Sequence, residues 1–390
     1  MFEWFSGKQI LRLRLMLLSL AVLLYGCSTP HRIPKIEYSG ENTGKAFGGI
    51  TSYAAQGDLR VVWLHGMCTH SINWALERDA LISGTVRETM ADAELSKSKI
   101  GGNQPYRVTL NHSVNGNSLE MRYLVWSPLN DRAKATVKSA SFSKYQRADF
   151  NAVLKEGLID DCFSDAVVYS GPAGDPVRSW VRGEVCDALG GSYSSSAGCR
   201  FRDNRDQRRT IFVAESLGSK ILSDALISIW NLSKGRDKAE IERRLAEVQM
   251  VFLLANQIPL LSAATHSNGR PALKMETSDT SLSPLVDLFA RSRTAEKSRS
   301  FTEAPASQLK FVAFSDPNDL LSYPLVGGKH LPEGISIANV IVSNDTTYFG
   351  KLERPDTAHR NYLLNPAVIG AVFDGYDGVA FTRPKAVSTK

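Results

Sequence analysis

Short and almost continuously apolar segments recur along most of this chain of 390 residues, with stretches long enough for a helix between them. They lie at 60–64, 210–213, 248–254, 309–314 and 338–342. Two further segments, 106–111 and 119–126, are joined near Asn115-Gly116, a dipeptide typical of a hairpin turn. A strand with one solvated face alternates apolar and polar residues, whereas a continuous apolar run indicates burial on both faces. The sequence therefore predicts an α/β fold with a mainly parallel central sheet and helices on both faces.

The domain organisation follows from where this succession of strands begins and where it is interrupted. Residues 27–57 lack strong periodicity and are rich in Pro, Gly and Ser, which is typical of a tether. We place one domain at 58–380. Its stretch from about 129 to 207 interrupts the strands, and we predict that this insertion is a cap that borders the site.

The first 26 residues are typical of a targeting segment. Three basic residues precede an apolar run at 15–25: Lys8, Arg12 and Arg14. A helix that spans a bilayer needs about 20 apolar residues, and this run has roughly half that number. We therefore predict a signal peptide over 1–26 rather than a transmembrane helix.

The end of the apolar run resembles a bacterial lipoprotein signal, in which a large aliphatic residue and a small residue precede a cysteine. Here the segment is Leu24-Tyr25-Gly26-Cys27. The resemblance implies that the Cys27 thiol carries a diacylglycerol and that cleavage occurs before Cys27. Ser28 in the next position implies the outer membrane of the cell envelope, with the protein facing the periplasm. The alternative is an uncleaved anchor with an incidental cysteine.

Export also bears on the four other cysteines: Cys68, Cys162, Cys186 and Cys199. An even number in an oxidising compartment predicts two disulfides. Cys186 and Cys199 flank a Gly/Ser-rich loop that a bond between them would close, but all three pairings remain open. The spacing of cysteines and histidines is not that of a zinc site, and we expect no metal or organic cofactor.

Ser216, in Ala214-Glu215-Ser216-Leu217-Gly218, is the candidate nucleophile. An apolar strand precedes it directly and a helix-compatible stretch at 217–229 follows. A serine on such a tight strand-to-helix turn projects its hydroxyl above the sheet edge, and the turn demands small residues two positions away on each side. Ala214 and Gly218 meet that demand, although glycine is usual at both positions. The alternative is a serine that caps the helix.

The pair His65-Gly66 follows the strand at 60–64 and resembles the oxyanion loop of lipases and esterases. In that arrangement the backbone amide after the pair, here that of Met67, binds the oxyanion together with the amide of Leu217. His65 is then structural rather than the catalytic base. The alternative is a tight turn with a buried histidine.

The base and the acid are expected after the last two strands. His359 is the histidine that follows the last strand, and neutral imidazole can accept and return a proton near neutral pH. Asp316 and Asp319 both follow the preceding strand. We favour Asp319 as the carboxylate that orients the imidazole, and keep Asp316 as the alternative acid.

The order of oxyanion loop, serine, aspartate and histidine resembles the α/β-hydrolase superfamily. The resemblance implies hydrolysis of an ester through an acyl-serine intermediate, with no cofactor. The membrane anchor makes a lipid acyl ester the expected substrate, beside small-molecule esters. The formal charge is +6, but basic residues do not interleave with aromatic ones, so we expect no nucleic-acid partner. The alternative function is a catalytically inactive lipoprotein of the same fold that acts as a binding scaffold.

Overall fold

The structure is a computed structural model that describes residues 14, 16, 27–39, 46–83, 104–140, 145–202, 206, 208–263, 284–299, 309–325, 331 and 333–380. The predicted signal peptide lies outside the described residues except for positions 14 and 16. Among the helices that are described, none combines the length and the apolar character needed to cross a bilayer.

An eight-stranded sheet forms the centre of the molecule. Its strands, in chain order, are β1 (Lys35–Ser39), β2 (Leu59–Leu64), β3 (Tyr106–Val114), β4 (Asn117–Val125), β5 (Arg209–Glu215), β6 (Met250–Leu254), β7 (Leu309–Ser315) and β8 (Ile335–Ile341). Their order across the sheet is β1-β8-β7-β6-β5-β2-β4-β3. Neighbouring strands run parallel except at the two edges, where β1 and β3 pair antiparallel with β8 and β4. The predicted α/β architecture with a mainly parallel sheet is therefore confirmed.

Both faces of the sheet are covered, because successive residues of the inner strands enter two different buried clusters. Val62 and Leu64 pack into one cluster, while Val61 and Trp63 pack into the other. The first cluster also takes in residues of the helices Asp175–Ala188, Leu217–Leu232, Gly235–Glu247 and Pro284–Arg299. The second takes in residues of Ile50–Ala54, Ile72–Ser83 and Pro366–Phe373.

The remaining elements are short. The other α-helices are Asp131–Ser139, Asp149–Val153, Ser164–Ser170, Ile258–Ala263 and Pro355–Arg360. Leu154–Phe163 forms a π-helix, and 3₁₀ turns lie at Ser127–Asn130, Pro172–Gly174 and Asn361–Leu364. Three two-stranded ribbons pair Cys27–Ser28 with Thr347–Tyr348, Phe47–Gly48 with Gly375–Tyr376, and Ser192–Ser194 with Gly198–Arg200. The hairpin predicted at Asn115-Gly116 joins β3 and β4, with φ of 53° and 82° at the two turn residues.

The predicted tether is partly incorporated in the domain. β1 pairs with β8 in the register Ile36↔Val340, and Ile36 and Tyr38 pack against the second buried cluster. The prediction of a tether over 27–57 is thus wrong for Lys35–Ser39 and for the helix Ile50–Ala54. In a short edge strand with only two apolar positions, the stabilising partner lies some 300 residues away in the sequence, so local periodicity carries little signal.

The predicted cap region also needs a correction at its end. The helix Asp175–Ala188 buries Val177, Val181 and Val185 at four-residue spacing and packs against the helix that follows Ser216. This helix belongs to the layer that covers the sheet, as the crossover between the parallel strands β4 and β5, rather than to a cap. The preceding part of the region, from 149 to 170, lies beside the oxyanion loop.

Two disulfides settle the pairing that the sequence left open. Cys186 bonds to Cys199 and closes the Gly/Ser-rich loop, and Cys68 bonds to Cys162. Cys27 is exposed and free.

Candidate active site

The candidate site residues meet at the carboxyl edge of the sheet. Gly66 follows β2, Ser216 follows β5, Asp319 follows β7 and His359 lies in the helix Pro355–Arg360, beyond β8. Carboxyl ends of parallel strands share one edge, and ligands bind there in open α/β sheets. The fold thus brings together four segments that are far apart in sequence.

Ser216 lies on a strained turn between β5 and the helix Leu217–Leu232. Its backbone has φ of 51° and ψ of −122°, a left-handed conformation that non-glycine residues rarely adopt. The neighbouring strand holds it in place, because the Ser216 amide donates to the Leu254 carbonyl oxygen over 2.7 Å. The predicted strand-turn-helix arrangement is therefore observed.

The side chains of Ser216, His359 and Asp319 form one hydrogen-bonded chain. His359 Nδ1 lies 2.8 and 2.9 Å from the two carboxylate oxygens of Asp319, so Nδ1 carries the proton and donates. The other ring nitrogen, Nε2, is then free to accept from the Ser216 hydroxyl, 2.9 Å away. All three residues are buried. This is the geometry of a nucleophile, its base and an orienting acid.

Asp316 occupies a different place from Asp319. Its carboxylate accepts the backbone amide of Asn318 over 2.9 Å and that of Asn344 over 2.6 Å. It therefore joins the loop after β7 to the loop after β8, and burial raises the pKa of its carboxyl. The structure places Asp319, and not Asp316, against the imidazole.

Tyr362 is a site residue that the sequence analysis missed. Its hydroxyl donates to Asp319 Oδ2 over 3.0 Å and accepts the Asp316 amide over 2.8 Å. Complete burial, and then the neighbouring Asp319 carboxylate, raise the pKa of Tyr362 well above 10.0, so the hydroxyl keeps its proton and remains a donor. The backbone amide of Leu321 donates to the other oxygen of Asp319. The carboxylate is thereby held in one orientation against the imidazole.

Two glycines allow the oxyanion loop to pack against the serine turn. A Cβ on Gly66 would lie 2.6 Å from the Ser216 Cβ, and one on Gly218 would lie 2.6 Å from the His65 carbonyl oxygen. Real Cβ atoms do not approach this closely, so larger residues would push the loop and the turn apart. Gly66, which precedes Met67, is thereby in contact with Ser216, which precedes Leu217, so the two segments that carry the predicted oxyanion amides are adjacent.

His65 and His70 hold the two peptide groups that precede and follow Met67. His65 Nδ1 donates to the Gly66 carbonyl over 2.7 Å, and His70 Nε2 donates to the Met67 carbonyl over 3.0 Å. In a planar trans peptide the Met67 N–H points opposite to the Gly66 carbonyl, so the hydrogen bond from His65 sets its direction. His65 Nε2 in turn accepts the amides of Trp126 and Ser127. His65 is therefore a structural residue, as predicted from the sequence.

Both histidines are neutral in the folded protein. Burial, and then the proximity of His70, lower the pKa of His65 well below 6.5. Burial lowers the pKa of His70 to about 4. Protonation of either ring would place a charge in an apolar pocket beside the Met67 peptide.

This predicts a specific loss of stability in acid. Between pH 6.5 and 4 the unfolded chain binds a proton at His70 that the folded protein does not, so the free energy of unfolding falls as the pH falls. Relative to a His70→Gln variant, the wild type should lose about 1.4 kcal/mol for each pH unit below 6.5. Urea unfolding of both proteins at pH 7, 6 and 5 measures the difference, in which titrating groups remote from His70 cancel. A difference that stays constant over this range would contradict the prediction.

One wall of the site comes from the segment that we predicted as a cap. The Cys68–Cys162 disulfide ties the loop after Met67 to the π-helix Leu154–Phe163, and the buried carboxylate of Asp165 accepts the Cys68 amide over 2.9 Å. Lys134 pairs with Asp165 over 2.8 Å. Extended π-helices are rare, and where they occur they often lie at functional sites. These contacts fix the segment that follows Met67 to the π-helix and to the helix Ser164–Ser170.

Cys68, Cys162 and Asp161 lie close enough together to share an ion, but the two sulfurs are bonded to each other and are not available as thiolates. The residues of the Ser216 site form a hydrogen-bonded chain suited to proton transfer.

Glu215 is a second residue that the sequence did not single out. Its carboxylate accepts the Trp63 indole N–H over 2.8 Å and forms an ion pair with Arg78 over 3.2 Å. Glu215 directly precedes Ser216, so these contacts stabilise the strand end from which the serine turn begins.

The sequence matches none of the protein-family models with which it was compared, and neither curated proteins nor solved structures show a match.

Proposed function

We propose that this protein is a serine hydrolase with an α/β-hydrolase fold that cleaves carboxylic esters. The observation that carries the proposal is the hydrogen-bonded chain from Ser216 through His359 to Asp319, with the serine on a strained turn after a central strand. A serine that merely capped its helix would not need a buried imidazole against its hydroxyl. The nearby oxyanion loop supports the same function.

The geometry supports a two-step reaction. Ser216 Oγ attacks the ester carbonyl while His359 Nε2 accepts the hydroxyl proton, and the amides of Met67 and Leu217 stabilise the oxyanion. The tetrahedral intermediate collapses, the ester C–O bond breaks, and His359 returns the proton to the departing alcohol. Water then attacks the acyl-serine while His359 Nε2 accepts its proton, the bond between the acyl carbon and Ser216 Oγ breaks, and His359 returns the proton to Oγ as the acid leaves. Asp319 holds the imidazole in the required tautomer and stabilises its charged form in both steps.

We place the activity at the bacterial cell envelope, at the outer membrane facing the periplasm, with a lipid anchor on Cys27. The support is the signal-like leader in the sequence together with two disulfides, which persist in oxidising compartments. An enzyme held at a membrane meets acyl esters of lipids at high local concentration. A lipid acyl ester is therefore the substrate class that we propose.

A fluorophosphonate probe tests the hydrolase directly, because it reacts with activated serines. We expect the wild type to be labelled, Ser216→Ala to remain unlabelled and Ser223→Ala, a change on the same helix, to be labelled like the wild type. Peptide mapping should find the probe on Ser216. An absence of labelling in the folded wild-type protein would refute the hydrolase and favour the non-catalytic scaffold.

A further inference from the structure

Cys27 lies at the edge of an exposed apolar surface. The strand Cys27–Ser28 pairs with Thr347–Tyr348, with Cys27 directly opposite Tyr348. Tyr348, Phe349 and Leu352 are 45%, 58% and 68% exposed. These are large side chains whose exposure is unfavourable in water.

The turn that carries these side chains is held by its own backbone. The Tyr348 amide donates to the Leu352 carbonyl over 2.7 Å, and the Lys351 amide donates to the Tyr348 carbonyl over 3.0 Å. Lys351 is exposed in the same turn. The turn therefore presents an aromatic pair, a leucine and a lysine to solvent as one unit.

A cavity next to the ribbon of Cys27 extends this apolar surface. This cavity of about 1110 Å³ is lined by residues from four stretches of the chain, among them Thr29, Thr346 and three strongly exposed apolar side chains. The exposed side chains are Ile33, Leu364 and Val379. Thr29 and Thr346 are next to the paired residues Ser28 and Thr347, so the cavity adjoins the turn. We call Tyr348, Phe349, Leu352, Ile33 and Leu364 the anchor face.

We propose that the anchor face binds the surface of a lipid bilayer. The apolar run at 15–25 ends directly before Gly26-Cys27, so the membrane is brought to this end of the molecule both by a lipid on Cys27 and by an uncleaved leader. Aromatic residues prefer the boundary between headgroups and acyl chains, aliphatic side chains enter below it, and lysine pairs with lipid phosphate. The inference rests on the proposed envelope location but not on catalysis.

The contact has a consequence for the active site. Leu364 ends the 3₁₀ turn Asn361–Leu364, which directly follows the helix of His359 and contains Tyr362. Docking through the anchor face therefore holds the segment of the catalytic base close to the lipid.

Depth-dependent fluorescence quenching tests the proposal on the full-length protein in vesicles of phosphatidylethanolamine and phosphatidylglycerol. An indole is introduced by Phe349→Trp in one variant and by Val167→Trp in a matched one, because Val167 is 61% exposed but lies on the helix Ser164–Ser170. The emission of the native tryptophans, measured in the wild type under the same conditions, is subtracted from the spectrum of each variant. In vesicles whose acyl chains are brominated, we expect the indole at position 349 to lose most of its emission and the indole at position 167 to keep it.

Two outcomes would overturn the proposal: quenching at position 167 without quenching at 349, or no quenching at either position. The measurement is repeated in a Ser216→Ala background, where it does not depend on turnover. Hydrolysis of a water-soluble ester by Phe349→Trp should equal that of the wild type, because Phe349 touches none of the reacting atoms. A failure of the bilayer contact is thereby distinguished from a failure of the hydrolase.

Discussion

Alanine at Ser216 or at His359 should lower kcat for a short-chain ester by about 10⁶-fold, and the double variant should lose no more than either single one. The hydroxyl and the imidazole act as a unit, since the serine is a weak nucleophile until His359 Nε2, 2.9 Å away, accepts its proton. Removing either partner removes the whole covalent route. The residual rate then comes from the oxyanion amides and from substrate binding.

Initial rates with p-nitrophenyl butyrate, measured over a range of substrate concentrations, separate kcat from KM. Ser223→Ala is the control, and thermal melting checks that each variant is folded. Alanine adds no strain at position 216, where a non-glycine residue already holds φ of 51°. A Ser216→Ala protein that retains a tenth of the wild-type kcat would contradict the proposed mechanism.

The second large effect is on kcat, and it distinguishes Asp319 from Asp316. Asp319→Asn should lower kcat by about 10⁴-fold, because an amide no longer holds His359 with its proton on Nδ1. Asp316→Asn should leave kcat much closer to the wild-type value. Its carboxylate accepts two backbone amides, so we expect it to lose about 1–3 kcal/mol of unfolding free energy instead.

Ester hydrolysis and urea unfolding of the same two variants give both quantities. The reverse pattern, in which Asp316→Asn loses activity and Asp319→Asn keeps it, would show that Asp316 and not Asp319 orients the imidazole. Because both aspartates lie in one short loop, each variant serves as the matched control of the other.

The parts of the molecule that the sequence predicts best depend on local signals. Ser216 stands between a continuous apolar run and a helix-forming stretch, and those neighbours are sufficient to predict the turn. The resemblance to α/β-hydrolases puts the acid and the base after the last two strands, where Asp319 and His359 stand, and a parallel sheet gathers the carboxyl ends of its strands at one edge. Cys186 and Cys199 flank a short loop, and this proximity made their bond the natural expectation.

The parts that the sequence does not predict depend on contacts between distant segments. Tyr362 acts through Asp316 and Asp319, more than 40 residues earlier, and nothing around it distinguishes it from an ordinary core tyrosine. β1 owes its strand conformation to β8 at the other end of the chain. The sequence assigns the helix Asp175–Ala188 to a cap, because a crossover this long hides the regular alternation of strand and helix.

The two disulfides join cysteines that are consecutive along the mature chain, Cys68 with Cys162 and Cys186 with Cys199. A chain that is threaded through a membrane from its amino end presents these thiols in that same order. With the Cys27 thiol carrying the proposed lipid, oxidation of each unpaired cysteine with the next one to emerge yields the observed pairs without any later exchange. On the proposed route of export, the Cys68–Cys162 bond therefore ties the oxyanion loop to the π-helix before Ser216, some fifty residues further on, reaches the periplasm.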